Sequence, residues 1–355
     1  MRLMLLAFVS GVVLGALELV LHLSPEAFGQ RRSNEIFSRY DTRPGGIYAR
    51  EKSSRMRFMW PDYTTENYWN GYRWRHSTDA LGFRNPPGTP AGVLLLGDSL
   101  IYGHGVEEEE TVAHFLRVEH EVPAYNMGRQ GAALYDEYVY LRTFLPELTP
   151  SAIVLFVFLN DFDDLEVYRT TEEIVQIPEI DRLDYTAIRT WTKQLPGKIP
   201  SLPRQWLWRR PSLRLLASAV RELRGLTWTA PAWAAPPGID PPFLAPLVDP
   251  DRLARLQSYY DRIFADLAKR CSDRSQALRI VFLPAVLGPG VGVEAQANAL
   301  ALVRTAAAEA ELPVYDSSAQ FSGCTACYLP NDGHFTAEGH RRLARYLAET
   351  VLRRN

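Results

Sequence analysis

The stretch Val93-Leu94-Leu95-Leu96-Gly97-Asp98-Ser99-Leu100 decides the reading of this chain. Four consecutive apolar residues bounded by prolines 86, 87 and 90 on one side and a glycine on the other predict a short strand buried on both faces. The strand runs directly into Gly-Asp-Ser-Leu. In open α/β sheets, ligands bind beyond the carboxyl ends of the strands, so a serine there can expose its hydroxyl while backbone N–H groups point toward developing negative charge. Taken alone, Asp98 and Ser99 also suit a simple helix cap.

Outward from this strand the same rhythm repeats. Acidic residues 107–110 open a helix expected over Glu109–Glu121, where the macrodipole favours them. A strand at Ala124–Met127, a helix at Leu134–Leu145 and a continuous apolar strand at Ile153–Leu159 follow. Regularity breaks near residue 165. Up to residue 248 the chain holds many prolines and five tryptophans, with an amphipathic stretch near Leu213–Leu223, and reads as an insertion. Afterwards come a helix at Leu253–Cys271, a strand at Leu278–Leu283, a helix at Val293–Ala310, a strand at Val314-Tyr315 and a last helix at Ala337–Arg353. Alternating strands and helices predict an α/β fold, a three-layer sandwich around a central parallel sheet.

Residues 26–90 are rich in Arg, Tyr, Trp and Asn without a sustained period, and are expected to connect to and wrap the domain at 91–353. Residues 1–25 are different. From Leu3 to Leu17 every residue is apolar or small, and Glu18 and His22 interrupt only near the far end. About twenty apolar residues span a bilayer, and no clean cleavage site follows in Ser24-Pro25-Glu26-Ala27-Phe28-Gly29. An uncleaved N-terminal transmembrane helix is the first expectation, with a cleaved signal and a buried core helix as alternatives. Arg2 before the segment and Arg31 and Arg32 after it leave the charge rule silent on orientation. By analogy with export signals, the bulk of the chain is placed outside the cytoplasm, in the periplasm.

The chain has 355 residues, 39 basic and 41 acidic, for a formal net charge of -2. No global positive field exists to hold nucleic acid. Hydrophobic residues at 46% and charged ones at 23% exclude a disordered or collagen-like chain. Three cysteines are too few for a disulfide scaffold. Cys324 and Cys327 suit a disulfide that stiffens their loop in an oxidising compartment, or else two free thiols. A zinc site lacks four nearby ligands, and Cys271 is expected to be buried.

Three further blocks stand at the ends of predicted strands or before the last helix: Asn126-Met127-Gly128-Arg129-Gln130-Gly131, Phe158-Leu159-Asn160-Asp161, and Asp332-Gly333-His334. Singly, Gly131 reads equally as a turn glycine and Asn160 as a cap. Together with Gly97–Leu100, in this order and spacing, the four blocks resemble the GDSL or SGNH hydrolase family over residues 91–353 outside the insertion. The lead-in Leu81-Gly82-Phe83-Arg84 is similar to that of membrane-anchored bacterial members. Two positions depart from the commoner family pattern: Phe158 replaces a glycine, and Asn331 stands where an aspartate usually lies three before the histidine.

The resemblance implies a flavodoxin-like SGNH fold and a Ser-His-Asp site that uses no cofactor or metal. Ser99 would be the nucleophile, His334 its base and Asp332 the group that orients the imidazole and stabilises its cation. The N–H groups of Ser99 and Gly131 and the side-chain amide of Asn160 would form the oxyanion hole. His76, His104, His114, His120 and His340 are read as structural, and Asp98 and Asp161 as loop-fixing hydrogen-bond acceptors. The implied activity is a serine esterase acting on an acyl or acetyl ester of a small molecule or glycan. The rivals are O-acetyl transfer to an extracellular polysaccharide through the same acyl-enzyme, and a non-catalytic carbohydrate-binding module. Four tryptophans of the insertion, Trp206, Trp208, Trp228 and Trp233, lie among arginines in a mixture suited to a substrate-covering lid.

Overall fold

The computed structural model describes residues 2–23, 47–52, 56–69, 72–162, 180, 183–194, 242–285, 291–329 and 333–353. Its centre is a five-stranded parallel sheet built from β5 (Val93–Leu96), β6 (Ala124–Asn126), β7 (Ala152–Val157), β8 (Ala277–Phe282) and β9 (Val314–Asp316). The strands lie in the order β6-β5-β7-β8-β9. Numbered within the sheet this is 2-1-3-4-5, the doubly wound order of flavodoxin-like folds, whose switch point lies beside the first strand. That strand is β5, with Leu94 in register with Tyr125 on one side and Ile153 on the other.

Burial on both faces explains the continuous apolar runs. All six residues of β7 are buried. Alternate side chains serve opposite layers, as the two-residue period of a strand requires. Leu94 and Leu96 join Ile153, Leu155 and Val157 in a core shared with α4 (Leu134–Phe144), α6 (Pro250–Ser272) and α7 (Val291–Glu309). Val93 and Leu95 join Val154 and Phe156 in a second core against α3 (Val112–Glu119) and α9 (Ala337–Tyr346). The remaining helices are α1 (Arg2–Leu23), α2 (Ser99–Tyr102), α5 (Tyr185–Gln194) and α8 (Ser318–Phe321).

Several boundaries differ from the sequence expectation. The acidic run does not begin the α-helix: Glu108–Glu110 form a separate 3-10 turn, and the Thr111 hydroxyl caps α3 by accepting from the His114 N–H at 3.3 Å. The last helix changes to a π turn at Leu347–Val351. The stretch 47–77, read as aperiodic, forms two antiparallel hairpins. One pairs β1 (Tyr48–Arg50) with β2 (Arg57–Met59), the other β3 (Thr64–Trp69) with β4 (Tyr72–Ser77).

These hairpins are part of the packed domain. Trp60 and Trp74 are buried, and so is Arg84 in the lead-in segment. The Arg84 guanidinium donates to the carbonyls of Tyr102 (3.2 Å), Gly103 (2.6 Å), Val106 (2.7 Å) and Arg75 (3.0 Å). A buried cation is thereby satisfied by four carbonyl dipoles, and the loop after α2 is locked to β4.

Helix α1 has 22 residues, and its side chains Val12, Val13, Leu14 and Leu19 are exposed. Among the described residues no helix is long and apolar enough to cross a membrane, and described side chains of α1 run only over 9–20. Of the insertion, α5 and a 3-10 turn at Pro242–Leu247 are described. The stretch Leu213–Leu223 and Trp206, Trp208, Trp228 and Trp233 lie outside the described residues.

Candidate active site

Ser99 is the first residue of α2, immediately beyond the carboxyl end of β5. The turn is fixed by Asp98, whose carboxylate accepts the Leu100 N–H at 2.8 Å and the Ser99 hydroxyl at 3.4 Å. Asp98 thus has the loop-fixing role read from the sequence. Ser99 itself is half-buried, so its hydroxyl is not closed off from solvent.

His334 lies 235 residues further along the chain, and its Nε2 stands 2.7 Å from Ser99 Oγ. The loop carrying it is pinned on both sides. The Leu329 N–H donates to the His334 carbonyl at 2.8 Å, and Tyr328 and Phe335 form an antiparallel bridge. Cys324 and Cys327 are joined by a disulfide at the base of this loop, the first of the two sequence readings. Cys271 is buried, as expected. Asp332 and Asn331 lie outside the described residues.

The block Asn126–Gly131 brings Gly131 to the same end of the sheet. Its φ is +59°, a left-handed conformation that glycine adopts without steric cost. The loop before it is held from below. Tyr48 Oη donates to the Gln130 carbonyl at 3.2 Å, the Arg129 guanidinium donates to the same carbonyl at 3.0 Å, and the Arg129 N–H donates to the Gly97 carbonyl at 3.0 Å. Neither the Ser99 N–H nor the Gly131 N–H donates to a backbone acceptor among the described residues. The arrangement leaves both free to meet an oxyanion.

Asn160 follows β7 and hydrogen-bonds the Asp98 carboxylate. Its neighbour Asp161 accepts the Phe158 N–H at 2.7 Å, which closes this loop. Ser99, His334, Gly131 and Asn160 therefore gather around the switch point.

Two site features carried no sequence signal. The first is His104, read as structural, whose ring lies on that of His334 with centroids 4.0 Å apart and planes 19° from parallel. The second is Glu137 on α4, buried, with neither carboxylate oxygen hydrogen-bonded. Burial holds its carboxyl well above the ordinary range, and the nearby carboxylates of Asp98 and Asp136 push the same way against Arg129. Arg129 is spent on Asp136, 2.5 Å away. Asp98 is also raised by burial, but the Leu100 N–H, His334, Asn160 and Ser99 all favour its charged form. Glu137 has no such donors, so burial and its two acidic neighbours favour its protonated form. His76 and His340 are buried, and burial drives both down to about 3, which keeps them neutral.

Among the described residues no group of three or more His, Cys, Asp or Glu side chains is arranged to hold a metal ion. No protein-family model matches the chain, and no curated protein matches it. Solved structures do. The crystal structure of TesA is 13% identical with a TM-score of 0.41, over 73% of this chain and 97% of TesA. A lipolytic protein of the G-D-S-L family from Desulfitobacterium hafniense is 12% identical with a TM-score of 0.39, over 72% of this chain and 97% of its own. An acetyl-xylooligosaccharide esterase from Geobacillus is 11% identical with a TM-score of 0.39, over 75% of this chain and 96% of its own.

Proposed function

We propose that this protein is a serine hydrolase of the GDSL/SGNH kind that cleaves an acyl or acetyl ester through an acyl-enzyme. The observation that carries the proposal is the 2.7 Å contact between His334 Nε2 and Ser99 Oγ at the carboxyl end of β5. A serine hydroxyl is a weak nucleophile until a base takes its proton, and an imidazole at hydrogen-bond distance is such a base.

In this reading Ser99 Oγ attacks the ester carbonyl carbon while its proton passes to His334 Nε2. The carbonyl π electrons move onto oxygen, and the oxyanion is met by the N–H groups of Ser99 and Gly131 and by the Asn160 amide. Loss of one donor of this type costs about a hundredfold to a thousandfold in turnover. His334 then returns the proton to the departing alkoxide, leaving an acyl group on Ser99 that water removes by the reverse sequence. Asp332 is proposed as the third member, since a carboxylate stabilises the imidazolium formed during attack. The Asp98–Asn160 hydrogen bond supports the role given to Asn160, because it orients the side-chain amide from below. Residues 1–25 are proposed as an uncleaved anchor that holds the domain on the outer face of a membrane, in the periplasm, and 165–248 as the wall that selects the acyl group.

A panel of p-nitrophenyl esters of increasing chain length and acetylated glycans tests the proposal. The expected result is release of free acid from at least one of them by the wild type and from none by Ser99→Ala. Release that survives in Ser99→Ala would overturn it. Acetyl transfer to an added glycan in place of free acid would assign the same acyl-enzyme to a transferase.

A further inference from the structure

We propose that His104 is a positioning residue that holds the base and the oxyanion glycine of this site in a fixed relation to the nucleophile. The inference rests on the hydrolase reading and deepens it, for nothing in the four sequence blocks includes residue 104.

The geometry is specific to three parts of the site. The His104 backbone N–H donates to the Ser99 carbonyl at 3.0 Å. Its ring lies flat on that of His334, centroids 4.0 Å apart. Its Nδ1 stands 3.1 Å from the side-chain carbonyl oxygen of Gln130, the residue immediately before Gly131. One buried residue, 3% exposed, thus touches nucleophile, base and oxyanion loop without itself reaching Ser99 Oγ.

The His104 ring also meets Trp74 on β4, with ring centroids 4.6 Å apart and planes tilted by 49°. Trp74 is in turn fixed by its indole N–H, which donates to Tyr102 Oη at 3.3 Å. The same phenol oxygen receives the Asn67 amide at 3.2 Å and meets His76 Nδ1 at 2.7 Å. The hairpin β3–β4, which lies outside all four blocks, therefore supports the His334 imidazole through a tilted Trp74–His104 contact and the stacked His104–His334 pair. A ring packed flat on His334 blocks the swing about its side-chain bonds that would carry Nε2 away from Ser99. It also offers a π face to the imidazolium that forms as the serine proton is taken. Misplacement of a reacting group by about 1 Å is enough to cost about a hundredfold in rate.

The test uses the full chain and two variants, read with p-nitrophenyl acetate and with a fluorophosphonate. His104→Ala removes both the stack and the Gln130 bond. It should lower kcat and the maximal rate of phosphonate inactivation by about a hundredfold, with KM within about twofold of wild type, because the ring meets His334 and not the substrate. His104→Phe keeps a planar ring against His334 and loses only the hydrogen bond. It should lose no more than about tenfold, the value of one such bond.

Wild-type kcat in a folded His104→Ala would overturn the inference, and so would an equal loss in Ala and Phe variants that melt with the wild type. A loss expressed mainly in KM would overturn it too. The control is Ser99→Ala: if that variant still reacts with the phosphonate, the hydrolase reading itself has failed. If Ser99→Ala is silent and His104→Ala reacts at the wild-type rate, only the inference about His104 has failed.

Discussion

Replacing Glu137 by glutamine should remove a pH dependence of folding that the wild-type chain carries. Glu137 is 1% exposed, neither of its carboxylate oxygens has a hydrogen-bond partner, and its folded pKa is raised well above the ordinary 4.5. Above that ordinary value the unfolded chain releases the proton while the folded chain retains it. The folded state then binds more protons than the unfolded state, so stability falls as pH rises, until pH passes the folded pKa. The slope for one group is about 1.4 kcal/mol per pH unit. From about pH 5 upward the wild type should thus lose stability relative to Glu137→Gln, by no more than this slope, until pH passes the folded pKa. Urea unfolding of both chains in detergent, followed by tryptophan fluorescence at several pH values, measures the difference. The gain of the variant over wild type should widen steadily with pH. A gain that stays constant across this range would refute the assignment of the buried proton to Glu137.

Three other outcomes are expected. Asp332→Asn should depress turnover by orders of magnitude with little change in KM, while Asn331→Ala has a modest effect, because only a carboxylate stabilises the imidazolium; the reverse pattern would exclude Asp332. Gly128→Ala should cost about 3 kcal/mol or more in chemical denaturation, since an added Cβ would sit 2.2 Å from the Tyr102 nitrogen and 2.6 Å from the Ile101 carbonyl carbon, and these are backbone atoms of α2 that cannot step aside. Replacing Cys324 and Cys327 by serine should lower stability by about 2 kcal/mol by the loop-entropy relation and lower kcat as well, because the Cys327 carbonyl accepts the Thr336 N–H at 2.9 Å beside the His334 loop; unchanged kcat would separate the disulfide from the site.

How much of this was legible in the sequence depends on what each residue is doing. The strands β5 and β7 are buried on both faces, so their apolar runs declare them, and the alternation of helices with the strands declares a parallel sheet. Ser99 and His334 were legible because each lies in a block of fixed local composition. The hairpins at 47–77 were not. The strands β1 and β2 have three residues each, too few to show a period. In β4 the buried positions include His76 beside the exposed Arg75, so the alternation is hidden by a polar residue that becomes buried only because Tyr102 supplies its partner. His104 and Glu137 escaped for a related reason. A lone histidine and an acid on a helix look the same in sequence whether they are exposed or buried, and only the tertiary packing, such as His334 and Trp74 against the His104 ring, distinguishes the cases.

The central claim is that Ser99 attacks with His334 as its base, and a serine-directed fluorophosphonate tests it most directly. Intact mass followed by peptide mapping of the labelled chain should place one phosphonyl group on Ser99. Both Ser99→Ala and His334→Ala should lose the label while melting close to the wild type. A label on any other residue, or undiminished labelling of either variant, would contradict the account.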